Sequence, residues 1–125
     1  MTDILIFLAH GSKNPQANSN TQELVEKLKI KEGGQFTNWL CAFLEFAEPD
    51  LNMAIETALL SKPNRITLFP YFLHMGNHVM QDIPRLLLNY QRQHPEVEFI
   101  TLPPLGAYPQ ITDVILECLR SHHAS

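Results

Sequence analysis

The sequence predicts an α/β sandwich: a four-stranded parallel sheet with helices on both faces, of the flavodoxin-like kind. Two observations carry this. The hydrophobic period switches repeatedly between short continuous apolar runs and amphipathic stretches, which separates buried strands from surface helices. The two types also alternate along the whole chain, and four β-α units in a row call for parallel strands joined by right-handed crossovers.

Each element has its own warrant. Ile4 to Ala9 is uninterrupted apolar sequence, as in a strand buried on both faces. Asn18 to Lys31 reads as a helix with Leu24, Val25 and Leu28 on one side and Glu23, Glu26 and Lys27 on the other, ended by Gly33-Gly34. Trp39 to Leu44 reads as a second buried strand, and a second helix runs through Leu60 with Asp50 as its N-cap. Arg65 to Phe69 forms the third strand, and a histidine-bearing loop follows Pro70. A third helix is expected from Asp82 to Gln93, with Pro84 in its first turn, where a missing N–H costs little. Glu96 to Leu102 is the fourth strand and Pro109 to Ser121 the last helix.

With 125 residues, 45% hydrophobic and 18% charged, residues 1–125 are expected to form one domain with its own core. A formal net charge of −4 and the lack of a basic stripe argue against nucleic acid as a partner. The first apolar run is too short for a signal peptide or a membrane span, so a cytoplasmic protein without a membrane partner is expected. Cys41 and Cys118 match no metal-ligand spacing and read as small buried hydrophobes.

Chemistry is expected where strands of a parallel sheet end, because open α/β sheets place ligands at that edge. His10 follows the first strand directly, and Gly11 allows a sharp turn and a close approach by a ligand. Glu45 follows the second strand between Leu44 and Phe46. Desolvated there, it would be a proton acceptor near neutrality; a surface carboxylate paired with a basic side chain is the plainer alternative. His74 and His78 follow the third strand, with Gly76 between them favouring a loop over a helix. His78, directly before the run into the third helix, is the better candidate. Tyr71 flanks the same edge. His94 reads as a helix-end histidine, and His122 and His123 as part of a tail.

Ala9-His10-Gly11-Ser12, Phe43-Leu44-Glu45, Pro70-Tyr71-Phe72-Leu73, Gly76-Asn77-His78 and Asp82-Ile83-Pro84 stand in the order and spacing of the CbiX/SirB-type class II chelatases. The sequence resembles the short, single-domain form of that family along nearly its whole length. The resemblance implies insertion of a divalent metal, cobalt foremost and iron or nickel as alternatives, into the tetrapyrrole sirohydrochlorin, without nucleotide hydrolysis. It implies a homodimer whose two lobes face each other across a cleft. Carried over by motif, His10 and His78 handle the metal and Glu45 is their acidic partner. Ser12, Lys13, Tyr71 and Arg85 are assigned to substrate binding; Lys13 stands where many relatives have arginine. His74 takes no role from the motif.

These residue types suit the reaction. Neutral imidazole is a borderline ligand for cobalt and iron, binds reversibly and can accept a proton. Two such ligands would hold an ion while leaving positions open for macrocycle nitrogens, and a carboxylate would take up the pyrrole protons. Helix N-termini along the edge would help an acidic chain hold a polycarboxylate. Two rival readings remain: a histidine phosphatase, disfavoured because Ala9 precedes His10 where an arginine is expected, and a non-catalytic metal or tetrapyrrole carrier.

Overall fold

The computed structural model describes residues 1–124. Four strands, β1 (Asp3–Ala9), β2 (Asn38–Phe43), β3 (Arg65–Tyr71) and β4 (Glu98–Thr101), alternate with helices α1 (Pro15–Glu32), α2 (Leu51–Leu59), α3 (Asn77–Gln93) and α4 (Gln110–Ala124). A short 3-10 turn at Leu105–Ala107 precedes α4. The sheet is wholly parallel, in the order β2-β1-β3-β4. The chain therefore steps one way from β1 to β2 and the other way from β2 to β3. With right-handed crossovers, α1 lies on one face and α2 and α3 on the other.

β1 is central and every one of its residues is buried, which is why it reads as an unbroken apolar run. Its alternate residues serve the two faces. Ile4, Ile6 and Leu8 join Ile66 and Leu68 under Leu51, Ala54, Ile55 and Ala58 of α2 and Ile83, Leu87 and Tyr90 of α3. On the other face Phe7 stacks on Phe69 and Tyr71, with ring centroids 5.5 and 4.8 Å away. At the amino edge the buried Asp3 accepts from the Thr67 hydroxyl (2.9 Å) and pairs with Arg65 (3.4 Å).

Several expectations need correction. α3 begins at Asn77, five residues before the expected Asp82, so Pro84 lies inside the helix rather than in its first turn. The missing N–H leaves the Met80 carbonyl without its helical donor, which is tolerable because both residues face solvent. α1 also starts early, at Pro15, because the Asn14 side chain accepts from the N–H of Gln16 and caps it. β2 is not a fully buried strand: it is the sheet edge, and only Ala42 and Phe43 are buried. The cysteines are not both buried. Cys41, on that edge, is half-buried and Cys118, on α4, is exposed.

α4 stands apart from the other helices. None of its described side chains is buried, and Val114, Ile115 and Leu119 are more than half exposed. Its main contact is with the 3-10 turn before it. On the α1 side of the sheet Phe69 and Ile100 remain half-buried, with Tyr108 partly covering Phe69 (6.4 Å between rings). Among the described residues no helix is long and apolar enough to cross a membrane.

Candidate functional site

Three loops leave the carboxyl edge side by side because β1 lies between β2 and β3. The first two are zipped together. The Leu44 N–H donates to the Ala9 carbonyl and the Glu45 N–H to the His10 carbonyl, both at 3.0 Å. β1–β2 pairing thus runs past the strand ends and carries two side chains with it. His10 Nε2 comes to 3.6 Å from Glu45 Oε2, within ion-pair range when the imidazole is protonated.

Gly11 permits this approach. Its φ is +93°, and a Cβ there would collide with the Glu45 carbonyl oxygen. Beyond it the loop is braced from α1: the Ser12 N–H donates to Asn18 Oδ1 (2.9 Å), and Asn18 Nδ2 donates to the Ser12 carbonyl (2.8 Å). The Ser12 hydroxyl itself accepts from the Asn14 N–H at 3.0 Å. Asn18 is a brace that no sequence motif announces, since its partner is a backbone brought near only by the turn.

The His10 and Glu45 side chains are 66% and 56% exposed. Glu45 is not the desolvated carboxylate that its apolar neighbours suggest. Leu44 packs against the core, while Phe46 turns outward with a φ of +64° and is 58% exposed. The ring of Phe46 meets Lys13 from the neighbouring loop, Nζ lying 5.3 Å from its centroid.

The other predicted residues divide. His78 is exposed in the first turn of α3, whose N-cap Gly76 makes no side-chain cap hydrogen bond. His74 is exposed in the preceding bend, so the two histidines do not share a helix face. Tyr71 ends β3 and is half-buried against Phe7. Arg85 sits seven positions after His78 on the same helix, about 10 Å along its axis. Among the described residues no three His, Cys, Asp or Glu side chains converge as a metal-holding group. Within one chain, then, His10 and Glu45 are together and His78 is not gathered with them. His94 caps α3 and lies 3.6 Å from Glu96, as a helix-end histidine.

An exposed imidazole facing a carboxylate can accept a proton from an acidic N–H. It can equally offer one nitrogen and one oxygen to a borderline divalent ion. Comparison with known proteins narrows the choice. The CbiX family model matches residues 4–122.

The chain belongs to the CbiX family. It is accordingly a chelatase, an enzyme of the metal-inserting lyase class. Among CbiX-family relatives, a sirohydrochlorin cobaltochelatase from Methanocaldococcus jannaschii is 31% identical over 92% of this chain and 96% of its own length. Among solved structures, a CbiX protein from Marinobacter aquaeolei VT8 is 24% identical with a TM-score of 0.80, covering 98% of both chains. The sirohydrochlorin chelatase SirB from Bacillus subtilis subspecies spizizenii, solved in complex with cobalt, is 19% identical with a TM-score of 0.82. That alignment takes in 97% of this chain but 51% of SirB. At these identities the structural likeness is one of fold, and this CbiX-family chain corresponds in length to half of SirB.

Proposed function

We propose that this chain inserts a divalent metal, cobalt foremost, into sirohydrochlorin without nucleotide hydrolysis, as a single chelatase-like domain spanning residues 1–125. The observation that carries the reading is the His10–Glu45 pair, held at the carboxyl edge by the β1–β2 zipper and open to solvent. In this reading His10 delivers the ion and Glu45, open to solvent, accepts the two pyrrole N–H protons one after the other and passes each to water as metal–nitrogen bonds form. A weak, open ligand set suits delivery, since the ion must leave for the macrocycle. Iron and nickel also suit imidazole, and affinity order alone does not choose among them.

In this reading His78, which stands apart from His10 in the lone chain, is the second metal ligand and approaches the ion from the α3 N-terminus. The free N–H groups of that uncapped turn and the Lys13 ammonium receive substrate carboxylates. Arg85, two turns along α3 from His78, and Tyr71, half-buried against Phe7, contribute less to binding. Ser12 acts mainly by shaping the His10 loop, since its hydroxyl is already engaged.

Two copies complete the enzyme. Support comes from the length match to half of SirB and from surfaces that a lone chain leaves uncovered, the apolar stripe of α4 and the half-buried Phe69 and Ile100. A second copy facing the first would close the cleft.

The test is an anaerobic absorbance time course with sirohydrochlorin and Co²⁺, run for the native chain and a His10→Ala/His78→Ala variant. Acceleration by the native chain alone supports the reading and its site. Equal acceleration by both removes the histidines from it. Binding of metal and macrocycle without acceleration over the protein-free rate, for Fe²⁺ and Ni²⁺ as well, would identify a carrier.

A further inference from the structure

We propose that Phe46 is a substrate-binding residue: its ring is a platform on which the flat, conjugated macrocycle lies, beside the Lys13 ammonium that meets the macrocycle's carboxylates. The inference rests on the proposed function and adds a residue to it.

Phe46 occupies the left-handed region, φ +64°, which bulky residues rarely adopt because Cβ crowds the carbonyl. Strain of this kind persists only where the surroundings over-determine it, and it gathers at functional sites. Here the surroundings do so. Glu45 on one side is pinned by its backbone bond to His10, and on the other the loop returns to the sheet through the Phe43 N–H, which donates to the Pro49 carbonyl at 2.9 Å.

The strain does not serve packing. Leu44, two residues earlier, packs on the core, whereas the Phe46 ring is mostly exposed at the ligand edge. A large apolar ring held out in water, next in the chain to Glu45, keeps most of its surface open although the Lys13 ammonium lies over one face. The cation–π contact with Lys13 orients that ring and ties the β1 and β2 loops together a second time. An exposed ring with an ammonium over one face and the other left for stacking complements a substrate that is a planar π system bearing carboxylates.

Phe46→Leu, Phe46→Gly and Phe46→Trp are titrated with metal-free sirohydrochlorin by absorbance, and separately with Co²⁺ alone. The expected result is about tenfold weaker macrocycle binding for the leucine and glycine variants, with Co²⁺ affinity unchanged and the tryptophan variant near native. Phe46→Gly is also expected to unfold no more easily than the native chain, because glycine adopts this φ without strain. A glycine variant that is stable yet binds the macrocycle weakly separates a binding role from a structural one. Native-like macrocycle binding by either the leucine or the glycine variant would overturn the inference while leaving the chelatase reading intact. Failure of the native chain to bind the macrocycle would overturn both.

Discussion

Glycine at position 11 does more for the site than either His10 or Glu45, whose approach it permits. With φ at +93° and the Glu45 carbonyl where a Cβ would be, Gly11→Ala must push the His10 loop away from β2. The expected cost is about 1–3 kcal/mol in urea unfolding, from backbone strain and collision together. Chelation should fall with it, since the His10–Glu45 approach depends on the same contact. His10→Ala should behave in the opposite way. An exposed imidazole contributes little to packing, so the melting temperature should hold while the metallation rate drops about a hundredfold or more. A comparable loss of rate and stability in His10→Ala would point to a structural histidine instead. The Cys41 thiol, half-buried on β2, is pushed up to about 11 by burial. It should react slowly with iodoacetamide at pH 8, as mass spectrometry of the modified peptides would show.

At the scale of elements, α2 and α3 are joined by a polar clasp above their apolar contact. The Tyr90 hydroxyl lies 3.0 Å from both Asn52 Oδ1 and Glu56 Oε1, and burial followed by the Glu56 carboxylate raises its pKa to about 12. The folded state therefore keeps this proton longer than the unfolded chain, whose tyrosine titrates near 10. The stability it contributes is present below about pH 10 and is lost as pH rises towards 12. Tyr90→Phe should flatten the alkaline limb of stability against pH in that window, at a cost of about 1 kcal/mol at pH 7. An unchanged limb would show that the clasp does not titrate with folding. The glycine at 106 marks a second close approach between elements. A Cβ there would collide with the Leu73 carbonyl, so the turn before α4 is seated directly on the loop that follows β3.

The whole molecule is unbalanced. One sheet face is closed by α2 and α3, while on the side of α1 Phe69 and Ile100 stay half-buried and the apolar residues of α4 are exposed. If a second copy covers this stripe, Val114→Lys with Leu119→Lys should yield a monomer by light scattering. The monomer should still be folded, since neither residue is buried within the chain. A dimer unaffected by the pair would place the interface elsewhere.

Strand positions, the alternation of layers and the loops bearing His10 and Glu45 were legible in the sequence, because apolar runs mark strands of a parallel sheet and ligand edges follow their ends; His78, expected on a loop, stands instead in the first turn of α3. The start of α3 was not legible. Gly76 and Pro84 are local helix breakers, and it is the packing of Val79, in the added turn, against the core that goes with the helix starting at Asn77. Nor was the exposure of Glu45 legible, since sequence neighbours do not say which side chains turn inward in a loop. The sequence by itself determined the fold class and the residues offered to the ligand edge, through periodicity and motif. The tertiary structure alone decided which of them meet: strand order put β1 beside β2, a backbone zipper joined their loops, and His10, Glu45, Lys13 and Phe46 became one surface.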